Sequence, residues 1–178
     1  FSHLFDKNSG FALLQKELEN LTSIKFCGQI IPVTTQPANI AFETKSGAIF
    51  LGEHELDNHR MSKDTVKKIW LEPKVPAFSQ AIETIKNADL IIFSLGSLHG
   101  SVLSNLLPTG MKEAFKKSHA RKIYVTNLAS SRNETHEYQP QDFIDTFKKY
   151  SGLVNPLDVL IIPKKHFTCM QSTPDAII

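Results

Sequence analysis

Two short polar loops hold most of the side chains able to do chemistry in this 178-residue sequence. The first is Ser94-Leu95-Gly96-Ser97-Leu98-His99-Gly100-Ser101. Gly96 and Gly100 permit close backbone approach, and Ser97 and Ser101 offer hydroxyls where a helix would begin. Free amides at a helix start favour an anion, typically a phosphate. His99 could donate to that anion or take part in acid–base work. The other reading of this loop is an ordinary tight strand-to-helix turn, because the Gly-Lys-Ser/Thr ending of a phosphate loop is missing.

The second loop is Asn127-Leu128-Ala129-Ser130-Ser131-Arg132-Asn133-Glu134-Thr135. It is long for a connection from strand to helix, which usually takes about 2–6 residues. Asn127 and Ser130 can hydrogen-bond a sugar or a base, and Arg132 can pair with a phosphate through two parallel bonds. Glu134, next to Thr135, could hold a hydroxyl or a metal. The bland alternative is a solvated loop in which Asn and Ser make local turns. Asn105, just before Leu106-Leu107-Pro108, is either a further ligand contact or the cap of a helix that Pro108 must end.

These loops need a scaffold, and the hydrophobic pattern supplies one. Asp89–Ser94 and Lys122–Thr126 read as buried strands directly before the two loops, and Leu157–Ile162 as a third. Helical spacing at Phe78, Ala81, Ile82 and Ile85, at Met111, Ala114 and Phe115, and at Phe143, Ile144 and Phe147 separates them. Alternating strands and helices over residues 77–163 predict a Rossmann-like α/β fold, a parallel sheet with helices on both faces. Ligands in such sheets bind beyond the carboxyl ends of the strands, where both loops lie.

Residues 26–72 follow another pattern, a small and mainly antiparallel strand region. Its expected strands are Ile30–Thr34, Ile40–Thr44, Ala48–Leu51 and Val66–Leu71, with a hairpin turn at Lys45-Ser46-Gly47. Glu53–Asp64 reads as a surface loop, and a first helix capped by Ser9 runs through Phe11, Leu14, Leu18 and Leu21.

Composition sets the outer bounds. The length suits one α/β region able to form its own core. Twenty Lys+Arg against 18 Asp+Glu leave a net charge of +2, too small for a dedicated nucleic-acid binder. No apolar run reaches the roughly 18 residues of a membrane span, and no leader opens the chain, so the expectation is cytoplasmic with no membrane partner. Cys27 and Cys169 have no ligand spacing and read as reduced thiols. His3, His54, His59, His119, His136 and His166 show no ligand spacing either and read as exposed. The basic cluster Lys112, Lys116, Lys117, His119, Arg121 and Lys122 reads as a solvated face.

The run from Ala88 to Leu107 resembles the CofD/YvcK family, whose members carry a strand, then Gly-Pro-Gly-Ser-Leu-Tyr-Thr-Ser, then Asn-Leu-Leu. The second loop is similar to that family's Asn-x-x-Thr-Gln-Pro-Gly-Glu-Thr, with Asn127, Glu134 and Thr135 in register and Tyr138 and Asp142 following. Departures are Ser94-Leu95 for Gly-Pro, His99-Gly100 for Tyr-Thr, and Ser130-Ser131-Arg132-Asn133 for Thr-Gln-Pro-Gly. The family's N-terminal Gly-Gly-Gly-Thr-Gly loop is missing, and the chain opens Phe1-Ser2-His3 without Met, which fits a piece of a longer protein. The resemblance implies a nucleotide or UDP-sugar ligand held in a gluconeogenesis-factor role. Its alternative is a Mg²⁺-dependent transferase moving a phospholactyl group to a deazaflavin, and a third reading is a degenerate domain serving in assembly, including a homo-oligomer. If Ser97 and Asn127 touch the ligand directly, alanine at either should weaken nucleotide binding without lowering the melting temperature.

Overall fold

The computed structural model describes residues 10–58 and 62–163. Helix α1 (Gly10–Thr22) leads into an extended segment that Gln15 ties back. The Gln15 amide donates to Gly28 O at 2.8 Å, and its carbonyl accepts from Ile30 N at 3.1 Å. Ser9, the expected cap, lies outside the described residues.

The small sheet forms as the pattern predicts, with β1 (Asn39–Thr44) between β2 (Ile49–Leu51) and β3 (Val66–Glu72), all antiparallel. Gly47 turns the hairpin at φ +90°, a conformation that glycine adopts without strain. Phe42 stacks on Phe50 at 5.1 Å and is fully buried.

Two expectations fail here. Ile30–Thr34 forms no strand, since Pro32 has no amide to give a ladder; Ile31 and Val33 instead pack against the core. Glu53–Asn58 is not loop but helix α2, anchored by buried Leu56, with Glu53 and Glu55 in its first turn where the helix dipole favours anions.

The second sheet has the parallel order β4 (Leu90–Phe93), β5 (Arg121–Val125), β6 (Val159–Ile161). Helices α3 (Ser79–Asn87), α4 (Met111–Lys117) and α5 (Pro140–Ser151) alternate with these strands, so the α/β class read from the sequence is the one observed. Helix α5 starts on Pro140 and ends on Gly152 at φ 69°, its natural punctuation.

Strand alternation puts Phe93 and Tyr124, which are register partners, on one face of the sheet. Phe147 of α5 packs at 5.0 Å from each ring, and Phe115 of α4 lies 5.6 Å from Phe93. The opposite face carries Leu90 and Ile92, which are half exposed among the described residues although the unbroken apolar run predicts full cover. Lys122 departs from the solvated cluster expected of it. It falls on the buried face of β5, where its ammonium donates to Ser118 O (3.0 Å) and Ala120 O (2.9 Å) and sits over the Phe115 ring.

Helix α5 is also tied to the edge of the small sheet. Tyr150 of α5 accepts a hydrogen bond from Ile69 N of edge strand β3 at 2.9 Å, and burial pushes its phenol up to about 12. Tyr150→Phe leaves that amide without its partner. The expected cost is about 1–2 kcal/mol, read as a lower urea midpoint at unchanged slope.

Candidate functional site

Both loops leave the carboxyl ends of adjacent strands, β4 and β5, and are therefore neighbours in space. Asn127 makes the first bridge between them. Its carbonyl accepts from Gly96 N at 2.9 Å and its amide donates to Gly96 O at 2.7 Å. A Cβ on Gly96 would press on the Ser101 Cβ at 3.0 Å, tighter than ordinary contact, so a side chain there would have to push Ser101 aside.

Glu134 makes the second and stronger bridge. Its Oε1 accepts from the Ser97 hydroxyl at 2.8 Å and from the His99 amide at 3.0 Å, while Ser131 Oγ donates to Oε2 at 3.3 Å. His99 Nδ1 lies 3.3 Å from the same Oε1, within ion-pair range but out of line for a hydrogen bond. Both side chains are buried. Burial pushes the Glu134 carboxyl up, yet the His99 side chain, the Ser97 hydroxyl and the His99 amide together outweigh it and hold it below its ordinary range.

The consequence concerns the helical turns Leu98–Leu106 that follow the first loop. An anion does sit at their start, as the Gly/Ser pattern predicts, but the protein supplies it from Glu134. Ser97 completes the cap by accepting from Gly100 N at 2.8 Å, and a Cβ on Gly100 would come equally close to that hydroxyl.

Ser97 and Asn127 thus brace the loops, so alanine at either is expected to lower stability as well. Asn127→Ala removes two hydrogen bonds at an exposed site and is expected to lower stability by about 1 kcal/mol, measured by thermal or urea unfolding.

The remaining predicted residues divide into three groups. Gly96, Asn127, Ser130, Glu134 and Thr135 line one small cleft between the loops, together with Thr126. Ser130 and Asn127 are exposed at its mouth. Thr135 Oγ1 accepts from Ser131 N at 3.3 Å, steadying the loop from within. Ser101 is exposed at the start of the turns, and Asn105 closes those turns by donating to Ser101 O (2.7 Å) and Val102 O (3.3 Å), the capping role rather than a free contact. Arg132 lines a different cavity, on the side of the second loop that faces the hairpin.

His99 is a buried member of the Glu134 network and not an open donor. Ser131 and Asn133 were not singled out by residue type. Ser131 holds Glu134, and buried Asn133 stitches the loop to α2 and β3 by donating to Leu56 O (3.2 Å) and accepting from Val66 N (2.8 Å).

His54, His119 and His136 are exposed, while His3, His59, His166 and Cys169 lie outside the described residues. Cys27 is a free, exposed thiol. The donor set does not fit Mg²⁺: the one carboxylate of the cleft, Glu134, is already bonded to Ser97, His99 and Ser131, and no three acidic, His or Cys groups cluster among the described residues. None of the described helices is long and apolar enough to cross a membrane.

Comparison with known proteins adds an independent finding. Residues 7–174 match the family described as 2-phospho-L-lactate transferase CofD. A relative from Aquifex aeolicus is 39% identical over 160 residues, which are 89% of this chain and 48% of that protein. The gluconeogenesis factor of Listeria monocytogenes is 33% identical over 132 residues, 74% of this chain and 40% of its own length. The crystal structure of a UPF0052 family member from Bacillus halodurans superposes with a TM-score of 0.70 at 28% identity, covering 83% of this chain and 46% of that one. The chain thus spans about half the length of the relatives it matches.

Proposed function

This chain belongs to the CofD family, and from that premise we propose that it binds a nucleotide-linked phosphate ligand, a UDP-sugar foremost, at the cleft between its two loops. The role that fits is that of a binding protein of the gluconeogenesis-factor kind. The observation that supports this most is the double brace of Glu134 and Asn127. It holds two loops from adjacent strands as one preorganised surface, with exposed Ser130 and Asn127 at its rim, and preorganisation lowers the cost of ordering on binding. Cytoplasmic placement accords with such a ligand.

The same brace speaks against acid–base or nucleophilic work by these loops. A carboxyl held below its ordinary range is a weak base, and the Ser97 hydroxyl is already shared between Glu134 and Gly100. The transferase reading would have to draw its chemistry from elsewhere.

Isothermal titration with UDP-sugars and GDP tests the proposal, on this chain and on a version extended to the length of its relatives. Saturable heat is expected, and Ser130→Ala should weaken it about fivefold, the equivalent of one lost hydrogen bond of roughly 1 kcal/mol. No heat and no thermal shift with any nucleotide at either length overturns it.

A further inference from the structure

We propose that a cationic bay behind the second loop is a separate anion site, made to take a small phosphorylated molecule that lacks a base. Lys45, Lys63, Thr65, Arg132, His136 and Glu137 enclose a cavity of about 510 Å³. That volume lies in the range of small-molecule sites, roughly 300–1,000 Å³.

The backbone brings these residues together from three segments. Lys45 of the hairpin turn bonds Thr65 O through its amide at 2.9 Å, and Val66 N bonds Asn133 O, next to Arg132, at 2.8 Å. Asp64, the acid closest in sequence, is held by Ser46 through its amide (3.0 Å) and its hydroxyl (2.6 Å) and does not line the bay.

The charges are unbalanced as a result. Three full cations face one concavity, and among the described residues none of them pairs with a carboxylate. Glu137, the one acid in the lining, lies 3.7 Å from His136 Nε2 and is highly exposed. Like charges gathered in a cleft repel one another and raise the local concentration of anions.

Chemistry narrows the ligand further. A guanidinium fork matches two phosphoryl oxygens, and the ammonium groups add point charges around them. Thr65 lines the same bay, and its Oγ1 has no hydrogen-bond partner among the described residues. No Phe, Tyr or Trp lines the bay, and its one ring, His136, is exposed and lies 3.7 Å from Glu137. A sugar phosphate or short polyphosphate therefore suits the bay better than a nucleoside.

Arg132, expected to pair with a phosphate, lines this bay and not the loop cleft. The site does not depend on the nucleotide proposal, since the two share no lining residue.

Titration with inorganic pyrophosphate, followed by amide chemical shifts in ¹⁵N-labelled full chain, provides the test. Saturable shifts are expected at Lys45, Thr65 and Arg132, weakening as KCl is raised. The double change Lys63→Ala with Arg132→Ala should raise the apparent Kd at least tenfold while the rest of the spectrum is retained. Both side chains are exposed, so folding is not at stake. Arg132→Lys, which keeps the charge and loses the fork, should fall between. Non-saturating shifts, equal affinity in the double variant, or shifts centred on Gly96 and Ser130 would each overturn the proposal. Failure of UDP-sugars to bind the cleft leaves this titration to be read on its own terms.

Discussion

Glu134→Ala is expected to lower the unfolding free energy by about 3–5 kcal/mol, the range for removing one partner of a buried charged network. The change strips the Ser97 hydroxyl and the His99 amide of their acceptor and leaves the buried His99 ring without its carboxylate. It also unties the first loop from the second, because Asn127 alone then bridges them. Glu134→Gln keeps an acceptor oxygen and should cost less. Urea unfolding measures both; a Glu134→Ala protein within about 1 kcal/mol of the parent would show that this carboxylate is no brace.

The same residue sets a pH dependence whose sign follows from its position. The folded protein holds the Glu134 carboxyl below its ordinary value of 4.5. Its contribution is therefore complete above that value and is lost as pH falls through the lowered folded value. Acid unfolding of the parent should steepen in that window, and the Glu134→Gln protein should lack this part of the slope. Equal acid slopes in the two proteins would assign the window to other carboxylates.

These loops also show how far the sequence could be read. The strands were legible because their apolar runs are short and continuous, and the loop with Gly96, Ser97 and Gly100 after one of them receives the protein's own Glu134 carboxylate. What the spacing could not reveal is where the anion comes from. Glu134 lies 35 residues beyond His99, and only the parallel pairing of β4 with β5 brings the two loops side by side. Composition suggested a polar, solvated second loop, yet Asn133 and Glu134 are buried. Residue type is a poor guide to burial when a polar side chain finds hydrogen-bond partners inside the protein. Lys122 illustrates the same limit, since two carbonyls and a ring make room for an ammonium. Arg132 shows the converse: its place lining the other cavity depends on how Asn133 anchors the loop to α2 and β3, which no local spacing reveals.

The second large effect is expected far from any ligand. Phe147→Ala should cost about 4 kcal/mol, the usual range for truncating a buried aromatic ring. Phe147 is fully buried and packs at 5.0 Å against both Phe93, the last residue of β4, and Tyr124, the last but one of β5, close to where the two loops depart. A cavity there removes support from beneath both strands at once. The loops should then fray together, because Glu134 and Asn127 couple them whatever happens below. Amide exchange at Gly96, His99 and Glu134 reads this directly: acceleration by a similar factor at all three is the expected result. Should the second loop exchange faster while Gly96 and His99 keep their protection, the brace does not make one cooperative unit of the loops. The rigid surface on which ligand binding is argued would then be two surfaces, each free to move without the other.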